Sequence, residues 1–577
     1  MHFKSGKRGI AAALLASALL LSPAVTFGQD GFDFGGDDGM DFGSDDGGMD
    51  FGGGDGGMDF GGSSNDAAQP IDTTSAAYGA YSQAKTLIDS RQYAEGARLL
   101  YDTIAVGDDA SFALSNQLHF ELGRAFYNMG YYQSALNHFD MVTSGSREFD
   151  DMLQYLVHLG RELPGEPRRY SRVYDNYLDK FPTEVDPSLY SEVGYILAMA
   201  AYRESKLDDV VFFVGHVAQD SSYYPRSRYL EGVTYVRQNN GQAALDSFKE
   251  TLRWLEDKSS REKLSDSEVQ LREFTVAALA RVFYQVGSTL WKMGEREKAA
   301  NSWNTALKYY NAFSRNSSMW LESLFEASWT YYRVDHFGKA LGLLLTLNSP
   351  FFNDKYYPEA MLLQATIYYT NCHYDRVVDI LTDYKATYEP LKGKVDELVS
   401  RLFQPEEVYD FLNMVRHADK DYDPTLQQVL DAAVQDRDLR RGLAYIDMLD
   451  DEVKRIDADA TIAGTPLAEA MKQDIVGVKA LSISEVGKKG KQRLERLQEE
   501  LRDLSNRALD IEIETTEKYA ARVELKEQDP NALEEFEQQI NEALKADDEH
   551  LFWTFDGEYW QDELGYYWYY IYSRCGR

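Results

Sequence analysis

Residues 280–313 read ARVFYQVGSTLWKMGEREKAANSWNTALKYYNAF, and the spacing of large and small residues predicts two amphipathic helices joined by a tight turn. Phe283 and Leu290 fall on one face of the first helix, and Gly287 is the small residue at which the helices cross. Gly294 lies in the turn, and Ala299, Trp303 and Ala306 make the inner face of the second helix. Side chains three to four positions apart stack on one side of a helix, so each helix offers its partner a continuous apolar stripe.

The same small–large–turn–small–large spacing recurs from Ala77 to about Pro390. Ala84 and Leu87 precede Tyr93, Gly96 and Leu100; Gly123 and Phe126 precede Gly130, Tyr132, Ala135 and Phe139. Ala198 precedes Leu207, Val210 and Val214 more weakly, and Gly232 and Tyr235 precede Ala244 and Phe248 in the full pattern. Ser328 and Tyr331 precede Phe337, Ala340 and Leu344, while Ala365 and Tyr368 precede Tyr374, Val377 and Leu381. With the opening stretch these make seven units in one register, and unit starts near residues 191 and 225 are 34 apart. Two units open alike, with Tyr223-Tyr224-Pro225 and Tyr356-Tyr357-Pro358. Proline suits the first turn of a helix, where its missing N–H loses no bond.

These residues resemble the tetratricopeptide repeat family, whose period is 34. The resemblance covers about 310 residues and implies an all-α superhelix of helical hairpins over residues 75–390. Two stretches depart from it: 150–190, which holds Leu163-Pro164-Gly165-Glu166-Pro167, and the interval 225–280, which carries a charged insert at 257–269. In such arrays the first helix of each unit lines a concave groove that receives partner segments. Carried over by register, the resemblance implies an inner wall of Phe120, Tyr127, Tyr195, Tyr202, Tyr229, Tyr284, Trp291, Phe325, Trp329, Tyr332 and Tyr369. Arg124, Arg203, Lys292 and Arg333 fall beside them. Cations next to rings suit an extended or acidic peptide. The alternative is that several rings pack between neighbouring units and never face the groove.

At 577 residues the chain exceeds one ordinary hydrophobic core. Its formal charge of −35 argues against nucleic acid, which requires a concentrated positive surface. Lys4, Lys7 and Arg8 followed by the apolar run 10–21 and a small-residue exit before Gln29 predict a cleavable secretory signal over 1–28. The rival is an uncleaved anchor, although the run is short for a bilayer. No later segment reads as a transmembrane helix, so the expected product is an exported protein of the periplasm or envelope. Only Cys372 and Cys575 are present. An oxidising compartment would permit a bridge that staples the C-terminus to the array; two separate thiols are the alternative.

Residues 29–74 are acidic and Gly/Asp-rich, with Phe32-Asp33-Phe34-Gly35 echoed at Met40–Gly43, Met49–Gly52 and Met58–Gly61. Such a composition predicts a disordered tether with a reach of about 30 Å, or a row of Phe/Met stickers for a partner. Residues 391–529 keep helical spacing, and Leu494, Leu497, Leu501, Leu504, Ala508 and Ile511 form a short heptad seam that predicts a helical hairpin packed on itself. Lys488, Lys489, Lys491, Arg493 and Arg496 make a basic cluster beside Gly487 and Gly490, either a solvated face or a contact for an anionic surface. The last section, 530–577, holds an expected helix at 532–544 and a terminus in which eleven of the 21 residues from Phe552 to Tyr572 are aromatic. That much ring area prefers burial, which predicts a cap on the array or a docking segment.

No catalytic or metal-binding spacing stands out. The nine histidines are scattered, and Ser82-Gln83-Ala84-Lys85 matches a Ser-x-x-Lys nucleophile pattern only inside a repeat helix with no companion motif. The expectation is a non-enzymatic scaffold without cofactor or metal, binding protein partners. Exported repeat proteins of this layout are similar to components of bacterial envelope, secretion and gliding-motility machines. The rivals are a peptidoglycan- or outer-membrane-associated assembly factor, and an enzyme with an unrecognised C-terminal site.

Overall fold

The computed structural model describes residues 72–575 except 353–354, 403, 418–423, 435 and 529–556. The expected signal segment, the Gly/Asp tail up to residue 71 and the expected helix at 532–544 lie outside the described residues. Among those described, regular structure is helical throughout and no strand is formed.

The first helices are α1 (Ala76–Asp89), α2 (Tyr93–Val106), the short α3 (Asp109–Ala113), α4 (Ser115–Met129), α5 (Tyr132–Phe139), α6 (Phe149–Glu162) and α7 (Arg169–Tyr177). Then come α8 (Tyr190–Arg203), α9 (Leu207–Val214), α10 (Tyr224–Arg237), α11 (Gly241–Ser259), α12 (Asp266–Lys292), α13 (Arg296–Tyr310), α14 (Trp320–Arg333), α15 (Phe337–Leu347) and α16 (Pro358–Thr370). The C-terminal part holds α17 (Tyr374–Arg401), α18 (Pro405–Arg416), α19 (Pro424–Val434), α20 (Arg437–Ala458) and α21 (Pro466–Gln528). They build an array of tetratricopeptide-type hairpins with a helical C-terminal extension.

All seven hairpins turn in the same way. The residue two before each second helix is left-handed: Arg91, Gly130, Ser205, Asn239, Gly294, Asp335 and Cys372. The following amide bonds back to the carbonyl five residues earlier at 2.8–2.9 Å, as in Tyr131 N to Phe126 O and Glu295 N to Leu290 O. This is the six-to-one bond of a Schellman turn, which satisfies a carbonyl that the helix end would otherwise orphan. Only two of the seven use glycine, so the closely fixed turn bears the left-handed strain of the rest, of order 1 kcal/mol each.

Packing inside the hairpins follows one rule. The small residue of the first helix faces a large one 16 positions later, and the large partners Leu100, Phe139, Val214, Phe248, Trp303, Leu344 and Leu381 are all buried. A Cβ on Gly287 would stand 2.6 Å from the Trp303 ring, on Gly123 2.8 Å from Phe139, and on Gly232 2.5 Å from Phe248. The helices cross that closely only because these side chains are missing. In the 280–313 hairpin the Trp303 indole N–H also donates to Tyr284 O at 3.1 Å.

Two expectations about the C-terminal half change. Helix α17 runs straight through Pro390, so the expected boundary between array and extension falls inside one 28-residue helix. Leu391, Val395 and Leu398 are buried beyond the proline, and their packing outweighs the backbone bond the ring removes. The expected self-packed hairpin at the heptad seam is instead the middle of α21, a single helix of 63 residues, about 95 Å at 1.5 Å per residue. Gly487 and Gly490 do not break it; they are contact points, because a Cβ would run into the Pro405 carbonyl at one and the Leu412 side chain at the other. The charged insert at 257–269 is absorbed by lengthening α11 and α12, with Ser265 and Glu268 forming a capping box at the start of α12.

Candidate functional site

The C-terminal helices pack back on the array. Helices α20 and α21 form an antiparallel pair, tied by Lys472–Asp457 at 2.8 Å and Lys479–Asp450 at 2.5 Å. Its apolar residues Leu449, Ile456, Leu467, Met471 and Ile475 join the core of the first half of the array. Farther along, Leu504, Ala508 and Ile511 of the same α21 enter the core of the last hairpins. There α21 runs antiparallel to α17, with Gln498 on Asp396 at 2.8 Å and Lys385 on Glu512 at 2.5 Å. The heptad seam thus finds its partner within the chain.

The polar contacts of this docking are specific. Helix α5 has no side-chain cap of its own. Glu452 of α20 supplies one, accepting from Gln133 N at 3.0 Å, Ser134 N at 2.9 Å and Ser134 Oγ at 2.8 Å. A carboxylate there satisfies two orphan amides and meets the positive end of the helix dipole. Burial pushes the Glu452 carboxyl up, and these donors offset part of that rise. Around it Tyr445 Oη donates to Gln133 Oε1 at 2.6 Å and Tyr131 Oη donates to Asp459 at 2.8 Å. The irregular 163–167 turn is the other contact: Gly165 lies where a Cβ would meet the Arg441 carbonyl and the Tyr445 side chain. The departure from the repeat marks a place where α20 docks.

Of the fifteen residues expected on the wall, Phe120, Tyr195, Tyr202, Tyr229, Tyr284, Trp329 and Tyr332 are buried, so an open, solvent-facing wall does not hold for them. Phe120 and Tyr127 pack between units against Tyr155, at 6.1 and 5.1 Å between ring centres. Tyr202 lies under the Arg237 guanidinium at 4.8 Å, and Trp329 packs edge-on to Tyr332 at 6.2 Å. Arg333 donates to the Tyr284 hydroxyl at 3.2 Å, Arg124 pairs with Glu121 at 3.0 Å, and Phe325 rests on Tyr357 at 5.8 Å. Tyr369 reaches Glu514 of α21 at 3.2 Å. Arg203 lines a cleft between α8 and the C-terminal helices, and Tyr195 lines a neighbouring one. Lys292 is exposed and Trp291 partly so, with the Arg296 guanidinium over the Trp291 ring at 4.5 Å.

The aromatic terminus is an extended strap over α14, α15 and the α16–α17 turn. Tyr569 N donates to Gly338 O at 2.9 Å and Arg574 N to Asn371 O at 2.9 Å. Arg315 binds the carbonyls of Gln561 at 2.7 Å and Leu564 at 2.5 Å. Gly338 and Gly342 allow the approach, since a Cβ on either would collide with Tyr567–Tyr569. A bridge between Cys372 and Cys575 fastens the strap's end. In an extended chain neighbouring side chains point opposite ways. Tyr567, Tyr569 and Ile571 accordingly pack inward, while Tyr566, Trp568 and Tyr570 are exposed. Of the basic cluster, Arg493 and Arg496 stand 4.0 and 3.9 Å from Asp436, and Lys489 pairs with Glu485 at 3.4 Å.

A search of solved structures finds this chain similar to the yeast Tom70 crystal structure, at 12% identity over 81% of this chain and 100% of that one, with a TM-score of 0.19. No family model and no curated protein matches the chain. Among the described residues no helix is long and apolar enough to cross a membrane, and no group of three or more His, Cys, Asp or Glu is placed to hold a metal ion.

The docking of the C-terminal helices on the array was outside the reach of repeat register, which compares each unit only with its neighbours. One signal bore on it: apolar spacing at 443–456 and 494–511, which needs a partner to bury it.

Proposed function

We propose that this chain is an exported, non-enzymatic scaffold that binds protein partners within a cell-envelope assembly. The observation that carries the reading is the array of seven hairpins, which offers a long surface for partners rather than one reactive pocket. Because seven of the expected wall residues are buried, the partners would meet other surfaces. The best-formed of these is the patch of Trp291, Lys292 and Arg296, where cations next to an accessible ring suit an extended acidic peptide. Export is supported by the basic–apolar–small pattern of 1–28 and by cysteines in bridging geometry, a state that oxidising compartments preserve.

A photo-crosslinking amino acid at Lys292 in the native cell tests this reading. Capture of the same proteins as whole-cell crosslinking, lost on adding Trp291→Ala, is expected; unchanged capture without Trp291 overturns the assignment. The outward rings of the strap favour a second reading, attachment to peptidoglycan or the outer membrane, because exposed Trp and Tyr suit glycan faces and membrane interfaces. Co-sedimentation with purified sacculi separates the two: a protein scaffold stays in the supernatant.

A further inference from the structure

We propose that residues 532–544 fold back as a helix on the face of α21 turned away from the array, and cover an apolar stripe left open there. On that face α21 exposes Leu509, Ile513, Thr516, Ala520 and Val523. Their steps of four, three, four and three place them on one line of the helix, about 21 Å long at 1.5 Å per residue. Asp510, Glu517 and Glu524 run beside this line, and all three are exposed. An apolar stripe of this period is what a helix offers to a second helix packed along it. The array side of α21 is a separate seam, which buries Leu504, Ala508 and Ile511.

Where the chain leaves α21 and where the strap begins decide the occupant. Arg522 of α21 donates to Cys372 O at 2.6 Å, so α21 ends beside the α16–α17 turn. The strap finishes there too, at Cys575, but it begins at the far end of the hairpins. Arg315, just before α14, holds the Gln561 carbonyl at 2.7 Å, and Gly565 N donates to Thr346 Oγ1 near the end of α15 at 2.9 Å. The chain between Gln528 and Gly557 must therefore return along the length of a hairpin, against the direction of α21. That length is about 20 Å, the rise of the 14-residue α14. Residues 532–544, ALEEFEQQINEAL, span the same length of about 20 Å as a helix. Asp529-Pro530-Asn531 has turn chemistry and a length suited to antiparallel helices, and Asn531 with Glu534 three positions on marks a helix start. Leu533, Phe536, Ile540 and Leu544 share one face of that helix. Glu534, Glu535 and Glu542 fall on the opposite one, so only Glu537 comes near the acidic row of α21. Twelve residues, 545–556, remain to reach the strap, enough for about 40 Å. A second copy on the stripe would instead bring two acidic rows together in chains of charge −35, which disfavours it. This packing does not depend on the scaffold reading.

The test is hydrogen exchange of the full chain, read by mass spectrometry over residues 532–544. A helix of this length is marginal in water on its own, so protection there requires packing. Exchange slowed at least about tenfold against an unstructured peptide is expected, since each factor of ten needs only 1.4 kcal/mol of packing. Ile513→Asp combined with Val523→Asp should remove that protection. Val476→Asp, at a residue that is also exposed on α21 but lies outside the stripe, should leave it intact. Phe536→Ser tests the opposite partner and should act like the stripe variant. Unchanged exchange in α16 and α17 reports that the array is still folded in each variant. Freely exchanging wild-type amides overturn the proposal, and so does protection that survives the stripe changes. Two other occupants have their own signatures, and either overturns it as well. A mass of two chains by light scattering, lost in the stripe variant, gives the face to a second copy. Free exchange at 532–544 together with a lysine-rich amphipathic peptide that binds wild type and not the stripe variant gives it to a basic partner helix.

Discussion

The seven hairpins and the C-terminal helices are both helical, yet they are held by contacts of opposite range. In a hairpin the deciding pair is 16 residues apart, a small side chain against a large one, and the turn is closed by a bond between residues five apart. In the C-terminal part the deciding contacts join residues more than a hundred apart: Glu452 with Ser134, Lys385 with Glu512, and Cys372 with Cys575. Local contacts cost little chain entropy, so a hairpin can form on its own terms. The long-range set must close large loops first. The array therefore supplies the surface, and the C-terminal helices and strap lock it by packing across its hairpins.

The largest test of that contrast is the bridge. It closes a separation of 203 residues, for which loop entropy predicts a stabilisation of about 5 kcal/mol. Cys575→Ser is expected to lower the denaturant midpoint sharply and to make stability insensitive to reductant. Helicity measured by circular dichroism under native conditions should hardly change, because the hairpins do not depend on the strap. A variant as stable as the oxidised wild type would mean that the strap adds nothing to the lock.

The next test breaks a hairpin locally. Gly287→Leu drives a side chain into the Trp303 ring, where even a Cβ stands at 2.6 Å. Overpacking of this kind costs about 3 kcal/mol. Hydrogen exchange should rise first in α12 and α13, whereas Cys575→Ser should free α14 to α17.

The same contrast explains how much the sequence revealed. The units were legible from Gly287, Trp303 and their six counterparts because the pattern is local and repeated. Two of the left-handed turns were visible, at Gly130 and Gly294; Asn239 and Asp335 are types that also adopt that conformation, while Arg91, Ser205 and Cys372 gave no sign. The wall residues were expected to line a groove or to pack between units, because register fixes which face a side chain takes and says nothing of what covers that face. Glu452 was invisible: one carboxylate among 95 acidic residues, it gains meaning only from two amides more than three hundred positions away. Pro390 was read as a boundary, whereas burial on both sides carried the helix through it.

Removing that carboxylate is the third test. Glu452→Ala leaves the amides of Gln133 and Ser134 buried without an acceptor, at a cost of about 2 kcal/mol. Faster exchange at those two amides, with α1 and α2 unchanged, is the expected signature. The pH dependence has a definite sign. Burial raises the Glu452 carboxyl above its value of 4.5 in an unfolded chain, so the native state holds this proton more tightly. The group's favourable share is complete below pH 4.5 and is lost as pH rises through the folded value. Glu452→Gln cannot ionise, so the stability of wild type relative to this variant should fall as pH rises above 4.5 in urea titrations. A difference that grows with pH would mean that the donors to the carboxylate outweigh its burial.

The smallest effect comes from within the strap, where neighbours in sequence sit on opposite sides. Tyr569 faces Tyr368 edge-on at 6.3 Å and packs into the core of the last hairpins, so Tyr569→Ala should cost about 1–2 kcal/mol. Trp568 is 69% exposed, and Trp568→Ala should cost under about 0.5 kcal/mol despite removing the larger ring. Melting curves of the two variants side by side decide this. If the Trp568 variant is the weaker, the strap is gripped through its outer rings, and those rings are then part of the lock instead of a surface left for a partner.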